Sequence, residues 1–306
     1  MSIIGKSKVA LVTGSSTGIG YETCLALARN GFTTCATMRD SKKSGDLERI
    51  AKKENLQIKI FEMDVDKGKS VRSTIKKITT EFGRIDILVN NAGYGLFGAF
   101  EDFLIDEIKN QFETNVFGVM RVIHEILPTM RQQKSGIIIN ISSISGLAGV
   151  PTQSAYCASK FAIEGLTEAL SFELEPFGIK LILIEPGVIN TEFVKDLVVP
   201  ANKYTVEKNN KPLNPFHLSE KKKSSSPYSD TVDKFLFFYY NAMSHAPHPQ
   251  IVADKIIDAI DNLYNKGNEA VLFRIIVGED SKQYSKLKKK LSDIEFHELL
   301  KKNLLK

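Results

Sequence analysis

The sequence predicts an α/β fold: a doubly wound, seven-stranded parallel sheet with helices on both faces, formed as a single domain. Three observations predict it. Short β-rich apolar runs alternate with longer stretches whose apolar residues recur every three or four positions; no internal repeat divides the chain; and 306 residues, 42% apolar and 25% charged, can bury one large core. Division by a typical domain length suggests two domains, but α/β chains of this size commonly surround one sheet.

In chain order, Val9–Val12, Thr33–Met38, Ile58–Met63, Ile85–Val89, Ile137–Ile141, Leu181–Ile184 and Ala270–Phe273 read as strands. Gly18–Arg29, Val71–Phe82, Ile105–Met130, Ala155–Glu173 and Ile251–Tyr264 read as amphipathic helices between them. Strands alternating with helices imply parallel pairing with both faces covered, and right-handed crossovers then produce a Rossmann-type sandwich. In such sheets ligands sit beyond the carboxyl ends of the strands. One segment breaks the alternation. Asn202–Asp233 is polar, carries Pro212, Pro215, Pro227 and His217, and runs through Lys221-Lys222-Lys223. It reads as a long loop within a substrate lid of about residues 192–249. The aromatic run Phe235–Tyr240 follows and needs cover on every face.

Lys and Arg total 41 against 36 acidic residues, a net charge of +5 that is too mild to indicate nucleic acid. From Lys282 to Lys306 there are eight lysines against three acidic residues, so this tail accounts for the whole surplus. Residues 1–281 are then an electrically balanced body, and 282–306 a basic, partly helical appendage. A solvated tail is expected, with weak attraction to an acidic membrane surface as the sharper alternative. Cys24, Cys35 and Cys157 form no CxxC pair, which argues against a disulfide framework or a zinc site, and no metal is expected. Met1–Lys8 lacks a signal-like apolar stretch, so a soluble cytoplasmic protein is expected.

The first strand leads into Thr13-Gly14-Ser15-Ser16-Thr17-Gly18-Ile19-Gly20 and a helix. Glycines allow positive φ and close backbone approach, and the helix N-terminus attracts a pyrophosphate. The second strand ends at Met38-Arg39-Asp40, where an arginine suits a ribose 2′-phosphate and an acidic residue a 2′-hydroxyl. Arg39 comes first after the strand, which favours NADP(H); the alternative is a solvated Arg39, with Asp40 selecting NAD(H). Later, Asn140-Ile141-Ser142-Ser143 closes the fifth strand, and Tyr156 and Lys160 stand four apart on the next helix, about 6 Å along its axis. A nearby ammonium favours the phenolate of a tyrosine whose pKa is ordinarily near 10, so Lys160 can tune Tyr156 as a general acid–base. A serine hydroxyl at the strand end can hold the substrate oxygen as its charge changes.

With these motifs in order and spacing, the chain resembles a classical short-chain dehydrogenase/reductase from Lys8 to about Gly278. Gly14, Ser16, Thr17, Gly18, Ile19 and Gly20 match the family's cofactor turn, Asp64-Val65 its adenine-side pair, and Asn90-Asn91-Ala92-Gly93 its fourth-strand motif. Asn115 matches the helix asparagine, Ser143 the catalytic serine thirteen residues before Tyr156, and Pro186-Gly187-Val188 with Thr191 the nicotinamide segment. The resemblance implies hydride transfer between the nicotinamide and an alcohol or carbonyl carbon. In it Tyr156 passes the proton, Ser143 positions the oxygen, Lys160 binds the ribose hydroxyls and lowers the tyrosine pKa, and Asn115 holds a relay water. Ser142 is the adjacent alternative to Ser143.

Ala36–Asp40 and Ser154–Gly165 are most similar to the 17β-hydroxysteroid and retinol dehydrogenase branch, which mostly uses NADP(H). Phe235–Tyr240 with Leu96, Phe97, Leu147 and Val150 would wall a site for a lipophilic alcohol, ketone or aldehyde. Packing as ordinary core or as a subunit contact is the competing role for the aromatic run. The apolar helices Ile105–Met130 and Ala155–Glu173 imply, by the same resemblance, a homodimer or homotetramer. A non-catalytic dinucleotide sensor or scaffold is the alternative class, but it leaves Ser143, Tyr156 and Lys160 without a task.

Overall fold

The computed structural model describes residues 8–194, 197–200, 226–265 and 271–306. Seven strands, β1 (Val9–Thr13), β2 (Thr33–Met38), β3 (Ile58–Glu62), β4 (Ile87–Asn90), β5 (Gly136–Ile141), β6 (Ile179–Pro186) and β7 (Leu272–Val277), form one parallel sheet. Its order is β3-β2-β1-β4-β5-β6-β7. β1 pairs with β2 on one side and β4 on the other, so successive connections leave in opposite directions and open a crevice beyond the strand ends. The predicted fold class is the observed one.

β1, β4 and β5 are buried along their whole length, as continuous apolar strands in a covered sheet must be. On one face α1 (Gly18–Arg29) packs beside α8 (Gln250–Asn265), joining Leu25, Leu27, Val252, Ile256 and Ile260 in one core. On the other, α3 (Gly68–Phe82), α5 (Val119–Gln133) and α6 (Ser154–Leu174) supply Ile75, Ile78, Val122, Ile126 and Ile163. The helix α2 (Gly45–Glu54) follows β2.

Three elements depart from their sequence expectations. The helix expected over Ile105–Met130 divides into α4 (Ile105–Phe112), a π-helical turn over Glu113–Gly118, and α5. Apolar spacing does not register the extra residue of a π turn, a form that recurs at functional sites. Strand β7 runs Leu272–Val277, beyond the expected Phe273, because Arg274 interrupts the apolar run without interrupting the strand. On this sheet edge its side chain reaches carboxylates of α6 and β6. Ala270, the expected start, lies outside the described residues.

The largest correction concerns the tail. α9 (Glu279–Lys290) and α10 (Asp293–Leu304) fold back over the strand ends. Phe296, Leu300 and Leu304 are buried in a third core with Phe97, Tyr156 and the helix α7 (Ser229–His245). The segment is therefore not a solvated appendage. Its lysines form the outer face of an amphipathic pair whose inner face is core, and a charge count cannot see the inner face. Positions 202–225 of the expected loop, with His217 and Lys221–Lys223, lie outside the described residues, and from Ser229 the chain is helical. Among the described residues no helix is long and apolar enough to cross a membrane.

Candidate active site

Two cavities meet beyond the strand ends. The smaller, about 500 Å3, lies over the glycine turn, and Gly14, Ser16, Thr17, Gly18, Ile19, Arg39, Val65, Asn91, Ala92, Gly93 and Thr191 line it. Gly14 and Gly18 take positive φ, +64° and +58°. A Cβ on Gly14 would stand 2.8 Å from the Ala92 Cα, so both conformation and space require glycine there. The Thr13 hydroxyl accepts from the Asn91 and Ala92 N–H groups at 3.0 Å, and the Asn91 amide donates to the Thr13 and Gly14 carbonyls. The fourth-strand motif is thereby fastened under the turn. Gly20 belongs to the same junction rather than to the cavity wall, since a Cβ there would meet the Asn91 amide at 2.5 Å.

The N-terminus of α1 has neither a side-chain cap nor an acidic residue in its first turn. Its free N–H groups and dipole end therefore remain available to a diphosphate, and the residues present fit a dinucleotide. Arg39 lines the cavity. The Asp40 carboxylate instead accepts from the Lys42 N–H at 3.0 Å, capping the next turn. Asp64, expected on the adenine side, does not line either cavity; it pairs with Lys67 at 3.0 Å and accepts from the Asp66 N–H. Asp66 takes the wall position, its carboxyl pushed up by burial against an opposing hydrogen bond from Thr114. The sequence reading took Asp64-Val65 from the family resemblance and did not single out Asp66.

The larger cavity, about 650 Å3, holds Ser143, Tyr156 and Lys160 together with Pro186, Gly187 and Val188. Ser143 stands two residues after β5 and caps a short 3-10 turn, its hydroxyl accepting from the Ser145 N–H at 3.1 Å. Tyr156 and Lys160 share one face of α6, with the ammonium 5.7 Å from the tyrosine ring centre. Lys160 Nζ donates to the Ile141 carbonyl at 2.8 Å, which fixes it against the end of β5. Burial lowers the Lys160 pKa to about 8, opposed by the negative charge of Glu164. Burial pushes the Tyr156 phenol well up, and a hydrogen bond with the Ser143 side chain works the other way. Ser142 also faces this cavity, and its buried hydroxyl lies beside the Glu164 carboxyl, whose pKa it helps to hold down.

Asn115 stands behind the site, in the π turn. Its amide donates to the Tyr94 carbonyl and the Ser159 hydroxyl and accepts from the Tyr94 N–H. Both amide hydrogens are thus engaged in tying α6 to the loop after β4, and Asn115 lines neither cavity. Phe97 centres the apolar wall, edge-on to Tyr156 at 5.9 Å and to Tyr239 at 5.1 Å. Leu96 and Leu147 do not line the cavity, whereas Phe97, Val150, Phe235, Phe238 and Tyr239 do. The sequence reading missed Phe296, Leu300 and Leu304 of α10, which close the far side. Their spacing of four was the available signal.

Residues 8–200 match the short chain dehydrogenase family profile. The chain belongs to that family. It is 42% identical over 186 residues to a 3-ketodihydrosphingosine reductase of Bacteroides thetaiotaomicron, across 61% of this chain and 65% of that protein. It is 40% identical over 190 residues to retinol dehydrogenase 8 of Bos taurus, across 61% of this chain and 60% of that one. The chain thus spans less than two thirds of these curated relatives. A crystal structure of a short-chain dehydrogenase from Streptomyces avermitilis superposes over 96% of both chains with a TM-score of 0.75 at 29% identity. The chain is thus a short-chain dehydrogenase family member with a Rossmann-type fold.

Proposed function

We infer that this enzyme transfers a hydride between NADP(H) and a lipophilic alcohol or carbonyl compound, with Tyr156 as the general acid–base. One observation carries the reading: Tyr156 lies in the wall of an apolar cavity that shares Ile19, Asn91, Gly93 and Thr191 with the dinucleotide cavity. A substrate in the first cavity and a nicotinamide entering from the second therefore meet beside its phenol. The bound dinucleotide supplies or accepts the hydride.

The chain's own residues handle the proton. Ser143 holds the substrate oxygen, Tyr156 donates to it in reduction or accepts from it in oxidation, and Lys160 supplies the positive charge that makes phenolate attainable. With its side-chain hydrogens engaged, Asn115 would hold a relay water through its main chain. Glycines 14 and 18 and the α1 N-terminus receive the diphosphate. Pro186, Gly187, Val188 and Thr191 flank the nicotinamide, and Val65 borders the adenine half.

NADP(H) is favoured because Arg39 faces the dinucleotide cavity while Asp40 is engaged in a turn. A lipophilic substrate is favoured because α7 and α10 turn Phe235, Phe238, Tyr239, Phe296, Leu300 and Leu304 into the larger cavity. Phe117, Met120, Phe161 and Phe172 remain exposed on α6 and the preceding π turn and α5, which suits burial in a homodimer or homotetramer. A cytoplasmic enzyme with weak membrane contact through exposed Ile294 and the lysines of α9 completes the proposal.

The deciding experiment follows nicotinamide absorbance with a panel of retinol, dodecanol, 3-ketodihydrosphingosine and their redox partners. Turnover by the wild type that Tyr156→Phe abolishes supports the reading. Dinucleotide binding without turnover on any member of the panel overturns it.

A further inference from the structure

α6 carries Tyr156, Lys160, Glu164 and Glu168 at intervals of four, one above another on a single face. The proposed reaction uses only the first two. Beside the others, Arg274 of β7 donates through Nη1 to Glu164 and, at 2.7 Å, to Glu185 of β6, and through Nη2 to Glu168. The Glu164 and Glu185 side chains are only 8% and 1% exposed. Two buried carboxylates gathered on one half-buried guanidinium rarely raise stability above that of an apolar replacement, because desolvation offsets the attraction. The cluster calls for a role other than stability.

Its geometry points toward the active site. Glu164 Oε1, the oxygen not held by Arg274, is buried beside the Ser142 hydroxyl, and that hydroxyl and Arg274 together oppose the rise that burial gives the Glu164 carboxyl. The two oxygens converge on Gly146, where an added Cβ would lie 3.1 Å from Glu164 Oε1 and 2.6 Å from Ser142 Oγ. The carboxylate thus extends from Arg274 to the end of β5, the strand end to which Lys160 is bonded. The groups facing it are Lys160 and Glu168 on α6, Arg274 on β7, Glu185 on β6 and Ser142 after β5, with Lys289 of α9 acting on Glu185. Against the loss of solvent around Lys160, Glu164 is the charge that favours its ammonium form.

We propose that Glu164 is a positioning residue for the proposed reaction: its carboxylate, clamped by Arg274, keeps the Lys160 ammonium charged behind Tyr156. The inference rests on the reading of Tyr156 and Lys160 given above. Glu164 lies about 6 Å along the helix from Lys160 and about 12 Å from Tyr156, so its influence on the phenol passes chiefly through the lysine.

The sign of a pH shift tests this. Without the carboxylate Lys160 loses its proton at lower pH, the phenolate loses its support, and the acid limb of alcohol oxidation moves up. Loss of a negative charge acting directly on Tyr156 would instead lower the phenol pKa and move the limb down. For Glu164→Gln, with the panel alcohol that the wild type oxidises best, the expected shift is about one pH unit upward. That means rates about tenfold lower on the acid limb, converging with wild type at alkaline pH.

Glu164→Asp restores the wild-type profile, and Glu168→Gln coincides with it. Fluorescence titration with NADPH gives a readout without turnover: the affinity of Glu164→Gln declines from a lower pH than that of wild type. Glu164→Gln/Arg274→Gln, which removes both members of the pair, gives a smaller shift of the same sign, since loss of the guanidinium acts the other way, and serves if Glu164→Gln alone does not fold. A Glu164→Gln limb that superimposes on wild type or moves to lower pH overturns the inference. Turnover retained by Tyr156→Phe overturns the underlying reading instead, so the two failures are distinguishable.

Discussion

Replacement of Arg39 by alanine isolates the cofactor preference. Arg39 is exposed at the mouth of the dinucleotide cavity, and Asp40 beside it caps the following turn. A hydrogen bond to a charged group contributes about 1.5–3 kcal/mol, and solvent exposure places Arg39 near the lower end. At about 1.4 kcal/mol per factor of ten, Arg39→Ala should lower kcat/KM for NADPH by about tenfold. It should leave kcat/KM for NADH nearly unchanged, since that dinucleotide has no 2′-phosphate. The assay compares both cofactors in wild type, Arg39→Ala and Asp40→Ala at low and high salt. Salt should weaken the wild-type preference and leave Arg39→Ala indifferent. The reasoning is refuted if wild type prefers NADH, or if Asp40→Ala changes the ratio as much as Arg39→Ala does.

Other consequences are equally direct. Gly14→Ala forces a side chain into a position of φ +64° within 2.8 Å of the Ala92 backbone, so NADPH affinity should fall together with about 1–3 kcal/mol of stability, read by titration and denaturant unfolding. Leu300→Ala, in the core that closes the larger cavity, should cost about 2–5 kcal/mol of stability and raise KM for the longest substrates more than for short ones. Because burial raises the Tyr156 pKa, its proton is present at neutral pH; carbonyl reduction should therefore be supported there, while alcohol oxidation should rise toward alkaline pH. Co-sedimentation with anionic vesicles at low but not physiological salt checks the membrane proposal for α9 and α10.

The sheet and the centre of the site were legible because they depend on local patterns. Continuous apolar runs mark covered strands, positive-φ glycines mark the turn, and a spacing of four puts Tyr156 and Lys160 on one helix face. What was not legible depends on contacts distant in sequence. Phe296, Leu300 and Leu304 are core only because α10 returns to α7, and their lysine-rich surroundings disguised them. The π turn at Asn115 changes hydrogen-bond register without changing residue type. Asp66, which the motif match did not single out, lines the cavity in place of Asp64, whose carboxylate pairs with Lys67, and a motif match does not show which way a side chain faces. Arg274 looked like a strand terminator because its carboxylate partners lie 110 and 89 positions earlier in the chain.

The far wall of the larger cavity comes from α7 and α10, beyond the stretch 8–200 that matches the family. Ser143, Tyr156 and Lys160 all lie within that stretch. On the proposed reading, the proton-handling residues and the far wall of the cavity are written in separate parts of the sequence, joined through Phe97, whose ring touches both Tyr156 and Tyr239. The late helices can drift under selection for a new molecule while the proton machinery stays under its own constraint. A change of substrate would then begin downstream, against the part of the wall that Phe97 and Val150 keep within the matched stretch.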